Sequence, residues 1–367
     1  IFNVTTGALL HTLDNPNPYS TSQQDYFSYS VAISDNYAIV GAVLEDDAGG
    51  SLSGKAYIFN VTSGALVHTL DNPNAYDTSS GDRFGGSVAI SGNLAIVGAH
   101  FESDDAGTNS GKVYIFNVTS GALVHTLDNP NAYGTSTGDA FGRSVAISGN
   151  SAIVGANLED DAGTGGGASG GLSGKAYIFN VTTGALVHTL DNPNAYNTPT
   201  GDYFGGSVAI SGNYAIIAAL GEDDAAGFDA GKAYIFNVTT GALVHTLDNP
   251  NAYGTSQQDF FSGSVAIGGN YAIVGAWKEE DGAFDGTDSG KAYIFNVTTG
   301  ALVHTLDNPN PYSTSRYDRF SSSVAISGNS AIIGAYQEGD AGGSLSGKAY
   351  IYNLLPTTET NSINVFG

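Results

Sequence analysis

The chain has no cysteine, no methionine, a single tryptophan, and only 11 lysines and arginines among 367 residues. Without thiols it can form no disulfide, thiolate nucleophile or cysteine-held metal site. The shortage of cations says more. Thirty-five acidic residues leave a formal charge of -24. Such a surface repels nucleic acid and anionic membrane and attracts cations, so no nucleic-acid partner is expected. No apolar run approaches the ~18 residues of a membrane helix, so membrane insertion is not expected either. Amphipathic periods of helical length are missing as well. A chain without thiols or methionine tolerates oxidising surroundings. The expected setting is secreted or cell-surface. No leader pattern is visible. The chain opens inside a repeat at Ile1 without an initiator Met, so a piece of something longer is expected.

What is abundant is glycine, 51 residues, and internal repetition. The stretch Phe84 to Ala99 reads FGGSVAISGNLAIVGA. It returns as FSYSVAISDNYAIVGA from Phe27, FGRSVAISGNSAIVGA from Phe141, FGGSVAISGNYAIIAA from Phe204, FSGSVAIGGNYAIVGA from Phe261 and FSSSVAISGNSAIIGA from Phe320. A period of this kind decides the fold before any local reading. The longer third unit carries the insert GTGGGASGGLSG, from Gly163 to Gly174, which a surface loop accepts at small entropic cost.

Each unit reads as four strands rich in Val, Ile, Tyr and Phe. In the second unit these are Ser87 to Ser91, Ala95 to Ala99, Lys112 to Val118 and Ala122 to Leu127. Gly92-Asn93 predicts a type I′ hairpin turn, because both residues tolerate positive φ. Thr119-Ser120-Gly121 predicts a second short hairpin loop. Third strands such as Ala292-Tyr293-Ile294-Phe295 are apolar on both faces, as in sheets covered from both sides. Six such units predict an all-β fold, a six-bladed β-propeller of four-stranded antiparallel blades. The chain begins with a third-strand fragment, Ile1 to Val4, and a fourth strand, residues 8–13. It ends with first, second and third strands only, Ser323 to Asn353. The N-terminal strand is therefore expected to complete the last blade, leaving Ile1 to Val4 surplus. Residues 1–353 then form one propeller, and 354–367 a tail or linker.

The stretch from Phe-Gly to Gly-Ala resembles the FG-GAP repeat, the blade unit of integrin-α-like propellers. It is closer to the bacterial form, with SVAISGN, AIVGA, an acidic loop and then GKAYIF. The resemblance runs from about Phe27 to Asn353, plus the permuted N-terminus. It implies a propeller but not an activity. Two departures stand out. The integrin-type repeat usually carries a D-x-D-x-D-G calcium loop between its first two strands, where this chain has only Gly-Asn. Integrin propellers also have seven blades.

In an up-and-down blade the 2–3 and 4–1 loops share one face, and here those loops are long. Binding usually resides in loops on a rigid scaffold. The candidate cation ligands are the carboxylates that follow the second strand, since Ca²⁺ takes six to eight oxygens from such loops. They are Glu45, Asp46 and Asp47; Asp104 and Asp105 after Glu102; Glu159, Asp160 and Asp161; Glu222, Asp223 and Asp224. Glu280 and Asp281 follow Glu279, with Asp285 and Asp288 nearby, and Asp340 follows Glu338. The same residues also read as a solvated acidic rim. A second ring, Asp25, Asp82, Asp139, Asp202, Asp259 and Asp318, reads as fixing the loop entering each first strand, with metal ligation as the alternative.

Six histidines from His11 to His304 fall in separate HTLDN strands and cannot converge. His100 stands alone. The Asn-Val-Thr turns, such as Asn117, are formal glycosylation acceptors. One lysine opens each third strand beside the acidic loop, and a local ion pair is expected. Trp277 begins the fifth acidic loop and is the candidate for stacking on a sugar ring, or it packs under its own loop. No Ser/His/Asp set, phosphate loop or HExxH is present, so no enzyme activity is expected. The expected function is a non-enzymatic extracellular binding or adhesion propeller, calcium-stabilised, contacting a protein or glycan through its long loops. The alternative is a self-associating structural protein built by strand exchange. A propeller lyase or hydrolase comes third.

Overall fold

The computed structural model describes residues 1–17, 25–46, 51–73, 81–103, 107–130, 138–159, 172–193, 201–223, 229–250, 258–279, 288–309, 317–339 and 345–354. Among these there is no helix. The first sheet holds β1 (Phe27–Ser34), β2 (Tyr37–Ala42), β3 (Lys55–Asn60) and β4 (Leu66–Asp71). The second holds β5 (Ser87–Ser91), β6 (Leu94–Ala99), β7 (Lys112–Asn117) and β8 (Leu123–Asp128). The third holds β9 (Ser144–Ser148), β10 (Ser151–Ala156), β11 (Lys175–Asn180) and β12 (Leu186–Asp191). The fourth holds β13 (Val208–Ser211), β14 (Tyr214–Ala219), β15 (Lys232–Asn237) and β16 (Leu243–Asp248). The fifth holds β17 (Phe261–Gly268), β18 (Tyr271–Ala276), β19 (Lys291–Asn296) and β20 (Leu302–Asp307). The last has three strands, β21 (Phe320–Ser327), β22 (Ser330–Ala335) and β23 (Lys348–Asn353). Every sheet is an antiparallel meander in chain order. These are the six blades of a β-propeller.

The chain forms two compact units, residues 1–191 and 192–367. Within each, consecutive sheets pack face to face. In the first unit, Ile39, Ile58 and Leu70 of one sheet lie against Phe84, Val88, Val97 and Tyr114 of the next. Ile96, Ile115 and Leu127 repeat the arrangement against Phe141, Val145 and Tyr177. In the second unit, Ile216 and Ile235 pack on Phe261 and Tyr293, and Ile273 and Ile294 on Phe320 and Tyr350. Burying one such side chain stabilises by about 1.5–3 kcal/mol. The anchor phenylalanine is the keystone of each blade. Phe84 is wholly buried, with its ring centroid 5.8 Å from Tyr114 and 6.0 Å from Phe116. The glycines of the motif permit the close approach of blades. A Cβ on Gly98 would stand 2.2 Å from the Gly142 carbonyl oxygen of the next sheet. Ser87 Oγ donates to that same carbonyl at 2.7 Å.

The β5–β6 turn differs from the expected type I′. Gly92 takes φ 56°, but Asn93 does not adopt a positive φ. Asn93 is held from outside the hairpin: its carbonyl accepts Val118 N at 2.9 Å, and its side chain accepts Thr119 Oγ1 at 2.5 Å.

Residues 1–13 form a small hairpin. Phe2 bridges Leu9, and Asn3 N donates to Ala8 O at 2.9 Å. His11 Nε2 lies 3.0 Å from Thr62 O, and Leu13 packs on Val40, Ala42, Tyr57 and Phe59. β4 stands in the same relation to the second sheet, with His68 Nε2 3.0 Å from Thr119 O. The segment therefore sits beside the first sheet as an outer hairpin. Of the segment Ile1 to Val4, expected as surplus, Phe2 supplies one side of its bridge. The expected pairing of residues 8–13 with the last sheet is not among the observed strand pairs, so closure by that strand is not seen. The first sheet's leading face is correspondingly open. Val31 and Ile33 are 63% and 59% exposed, against 8% and 7% for their counterparts Val88 and Ile90. The tail from 355 onward lies outside the described residues.

Candidate functional site

In each blade the first strand begins, and the second ends, at the same edge of the sheet, as the pairings Phe27 with Ala42 and Phe261 with Ala276 show. The long loops leave and return there. We call this edge the rim. Its architecture is built from a buried glutamate. In the second sheet, Glu102 follows β6 and turns inward, where Tyr114 Oη donates to Oε1 at 2.6 Å. The Glu102 carbonyl accepts Gly111 N at 2.9 Å and Ser110 Oγ at 3.4 Å, which pins the neck of the loop. Glu45, Glu159, Glu222, Glu279 and Glu338 repeat this with Tyr57, Tyr177, Tyr234, Tyr293 and Tyr350. All six glutamates are wholly buried. Burial pushes the Glu45, Glu102 and Glu222 carboxyls up to about 7, and Glu279 to about 8, against the opposing pull of the tyrosine hydrogen bond. The tyrosines are pushed up in turn, by burial and by the glutamate beside them.

The sequence signal for this pair is a Glu three residues after β6 together with a Lys-x-Tyr opening β7. It was hidden because Glu-Asp-Asp reads as one acidic loop. The glutamate and the aspartates have separate roles. Asp46 Oδ1 accepts Leu52 N at 2.8 Å, and Asp223 Oδ1 accepts Asp229 N at 3.0 Å, each closing its loop across six residues. Among the described residues no three carboxylates or histidines come together as a cation site. The described members of the expected calcium set, Glu45, Asp46, Glu159, Glu222, Asp223 and Asp288, therefore do not form one on their own. Asp47, Asp104, Asp105, Asp160, Asp161, Asp224, Glu280, Asp281, Asp285 and Asp340 lie outside the described residues.

The second aspartate ring is structural. Asp82 is buried and accepts Asn72 Nδ2 at 2.8 Å, and Asp139, Asp259 and Asp318 do the same with Asn129, Asn249 and Asn308. The strand lysines pair with the aspartate ending the fourth strand, Lys55 with Asp71, Lys112 with Asp128 and Lys291 with Asp307, and also act on the buried glutamate after the second strand. Among the described residues the last sheet has no fourth strand, and there Lys348 pairs with Glu338 at 3.1 Å. The histidines fasten blades together. His125 Nε2 lies 3.1 Å from Thr182 O, and His245 Nε2 3.0 Å from Thr298 O.

The rim also carries the residues that differ most from unit to unit. Just before each anchor phenylalanine stand Tyr26, Arg83, Ala140, Tyr203, Phe260 and Arg319, all left-handed with φ between 50° and 59°. Just after each second strand stand Val43, His100, Asn157, Leu220, Trp277 and Tyr336. In the first unit, His100 is buried with its ring centroid 4.5 Å from Phe101, and Arg83 lies 4.4 Å over the Phe101 ring. Burial, reinforced by Arg143 and Arg83, lowers the His100 pKa to about 3. His100 is therefore neutral, which fits neither a titrating base nor a cationic contact. In the second unit, Trp277 stacks on Phe260 with centroids 5.5 Å apart and planes 5° from parallel. Arg319 lies 4.8 Å from the Trp277 ring. The expected stacking residue thus has its own ring occupied by protein neighbours.

Repeated four-stranded blades with a phenylalanine keystone and a Gly-to-Gly junction define a β-propeller of duplicated units. The FG-GAP repeat family matches residues 19–59, 74–116, 131–179, 195–236, 251–295 and 312–352. The chain belongs to the FG-GAP repeat family. Repeats of this family are typical of extracellular proteins, and propellers built from them are generally non-enzymatic. No curated protein matches the chain. Among the described residues no helix is long and apolar enough to cross a membrane.

Proposed function

We propose that this chain is a non-enzymatic extracellular binding or adhesion module that contacts a protein or glycan through the rim and its long loops. One observation carries the reading. In a chain of near-identical repeats, side-chain identity diverges at the rim, and it diverges toward aromatic and cationic residues. Six of the 11 basic residues are the strand lysines. The others are Arg83, Arg143, Lys278 and Arg319, all at rim positions, and Arg316, which lies outside the described residues. Aromatic and arginine side chains are those enriched where proteins bind partners. The test is an array of cell-surface glycans and matrix proteins probed with the full chain. Binding should be lost when Arg83, Arg143 and Arg319 are changed together to Gln, and kept when Asn93 and Asn150 of the short turns are changed to Ala. The reverse pattern would sink the reading.

Calcium stabilisation belongs to the proposal through the acidic loop tips alone. A thermal melt with calcium and with chelator checks it, and coincident curves would remove calcium from the account. A second reading, self-association, is favoured by the open first-sheet face at Val31 and Ile33. A molar mass by light scattering that stays monomeric across concentration would count against it.

A further inference from the structure

We infer that the rim of the fifth and last sheets holds a site for a carboxylated sugar, a uronate within a glycan chain. This rests on the reading that the rim is the binding edge. The site is built from Phe260, Trp277, Lys278, Arg319 and Tyr336, all within the second unit. Gly263 of β17 makes room for the indole, because a Cβ there would stand 2.5 Å from Trp277 Cδ1 and Nε1. Trp277 lies flat against Phe260, and Lys278 Nζ sits 4.2 Å over the Phe260 ring and 5.1 Å from Trp277. The Arg319 guanidinium rests on the indole and reaches Tyr336, 5.7 Å from that ring, with Nη1 donating to Tyr336 Oη. Arg319 Nε is buried and makes no hydrogen bond. Neither cation belongs to an ion pair among the described residues, although the Asp229 carboxylate acts on Lys278 at longer range.

Two cations gathered on an aromatic stack are unusual in a chain of net charge -24. A guanidinium immobilised against a ring offers its remaining donors as a planar fork, the geometry that recognises a carboxylate in two-point fashion. Lys278 adds a point charge beside the stack, within 5.1 Å of both ring centroids. The open aromatic surface is not Trp277 but Tyr336, 51% exposed, with Tyr317 equally exposed two residues before Arg319. A flat ring beside a fixed guanidinium matches a pyranose, whose C–H face is apolar and whose carboxylate projects from the ring edge. An acidic peptide would use the cations and leave the tyrosines unused. Trp277 then acts as the spacer that holds Arg319 in place, and it is a positioning residue.

The chain's only tryptophan makes the test direct. The full chain is titrated with tetragalacturonate, with its methyl ester and with tetraglutamate, while Trp277 emission and calorimetric heat are followed. Galacturonate should give a saturable emission change that weakens as salt is raised. The ester and the peptide should bind about tenfold more weakly or worse. Arg319→Gln and, separately, Lys278→Gln should lose a similar factor with an unchanged thermal melt, whereas Lys232→Gln, at a strand ion pair, should not. No heat or emission change at millimolar galacturonate would overturn the inference, as would equal binding of the ester or the peptide. If galacturonate binds but its loss follows Arg83→Gln and Arg143→Gln instead, this site fails and the rim reading stands. If no rim variant matters, both fail.

Discussion

The second sheet and the last sheet are nearly the same sequence in two different situations. In the second, β8 supplies a fourth strand, and Lys112 pairs with Asp128 at its end. In the last, β23 is the outermost strand among the described residues, and Lys348 turns to the buried Glu338. Ile96 is wholly buried under the following blade, while its counterpart Ile332 is 42% exposed. The comparison separates what a blade makes by itself from what its neighbours give it. The anchor phenylalanine, the Tyr–Glu bond and the three-strand meander persist without a fourth strand. The lysine's partner and the burial of the trailing face do not.

The sharpest way to break this comparison is a pair of truncations. Ile96→Ala should cost about 2–5 kcal/mol, as for other buried aliphatic side chains. Ile332→Ala should cost under about 1 kcal/mol, since little apolar area leaves the protein interior. Denaturant melts of the two variants would show the asymmetry, and equal losses would mean that the Ile332 face is covered in solution. Next in size is removal of residues 1–13, which strips Leu13 and the His11 contact from the first sheet. A loss of about 2–4 kcal/mol is expected from the exposed core of that sheet. An unchanged melt would show that the hairpin adds nothing there.

Fold and site were legible to different depths, for physical reasons. The strands, their order and the blade count follow from β-branched runs punctuated by glycine, and local chemistry decides these. Closure by residues 8–13 rests on counting strands, which does not say which sheet a strand joins, and no such pairing is seen among the described residues. The buried glutamates are hidden in the sequence for another reason. Composition puts Glu102 with Asp104 and Asp105, whereas packing sends it inward to Tyr114, a contact between two strands that no run of residues reveals. Trp277 stands out in the sequence as the chain's single tryptophan. Its neighbours, Phe260 from the preceding turn and Arg319 from the next blade, meet it only in three dimensions.

A third prediction uses the glutamates. The Glu45, Glu102 and Glu222 carboxyls bind protons more tightly folded than unfolded, so the stability they contribute is full below about pH 4.5 and is lost as pH rises through about 7. The melting temperature should fall across that window. Glu102→Gln keeps an acceptor for Tyr114 and should flatten the curve by on the order of 1–3 kcal/mol at neutral pH. A slope identical to that of the parent chain would show that Glu102 does not carry it. The smallest effect belongs to the blade fasteners. His68→Ala removes one side-chain bond to the Thr119 carbonyl and should cost about 0.5–1.5 kcal/mol. A cost near that of Ile96→Ala would mean that the histidines, and not the apolar faces, join the blades.

The sameness of the blade junctions has a consequence for how the chain reaches its fold. The Ser87–Gly142 bond and the apolar faces on either side of it recur with the same chemistry at two further junctions, Ser30–Gly85 and Ser264–Ser321. A newly formed blade therefore meets several docking faces that it cannot tell apart, including those of other chains. Out-of-order and intermolecular pairings become kinetic traps of nearly native energy, a characteristic failure of repeat proteins. The divergent rim residues mark a junction only at its edge, as Arg319 on Trp277 does, and leave the apolar faces alike. A refolding yield that falls as chain concentration rises is the measurable sign, and a concentration-independent yield would contradict it.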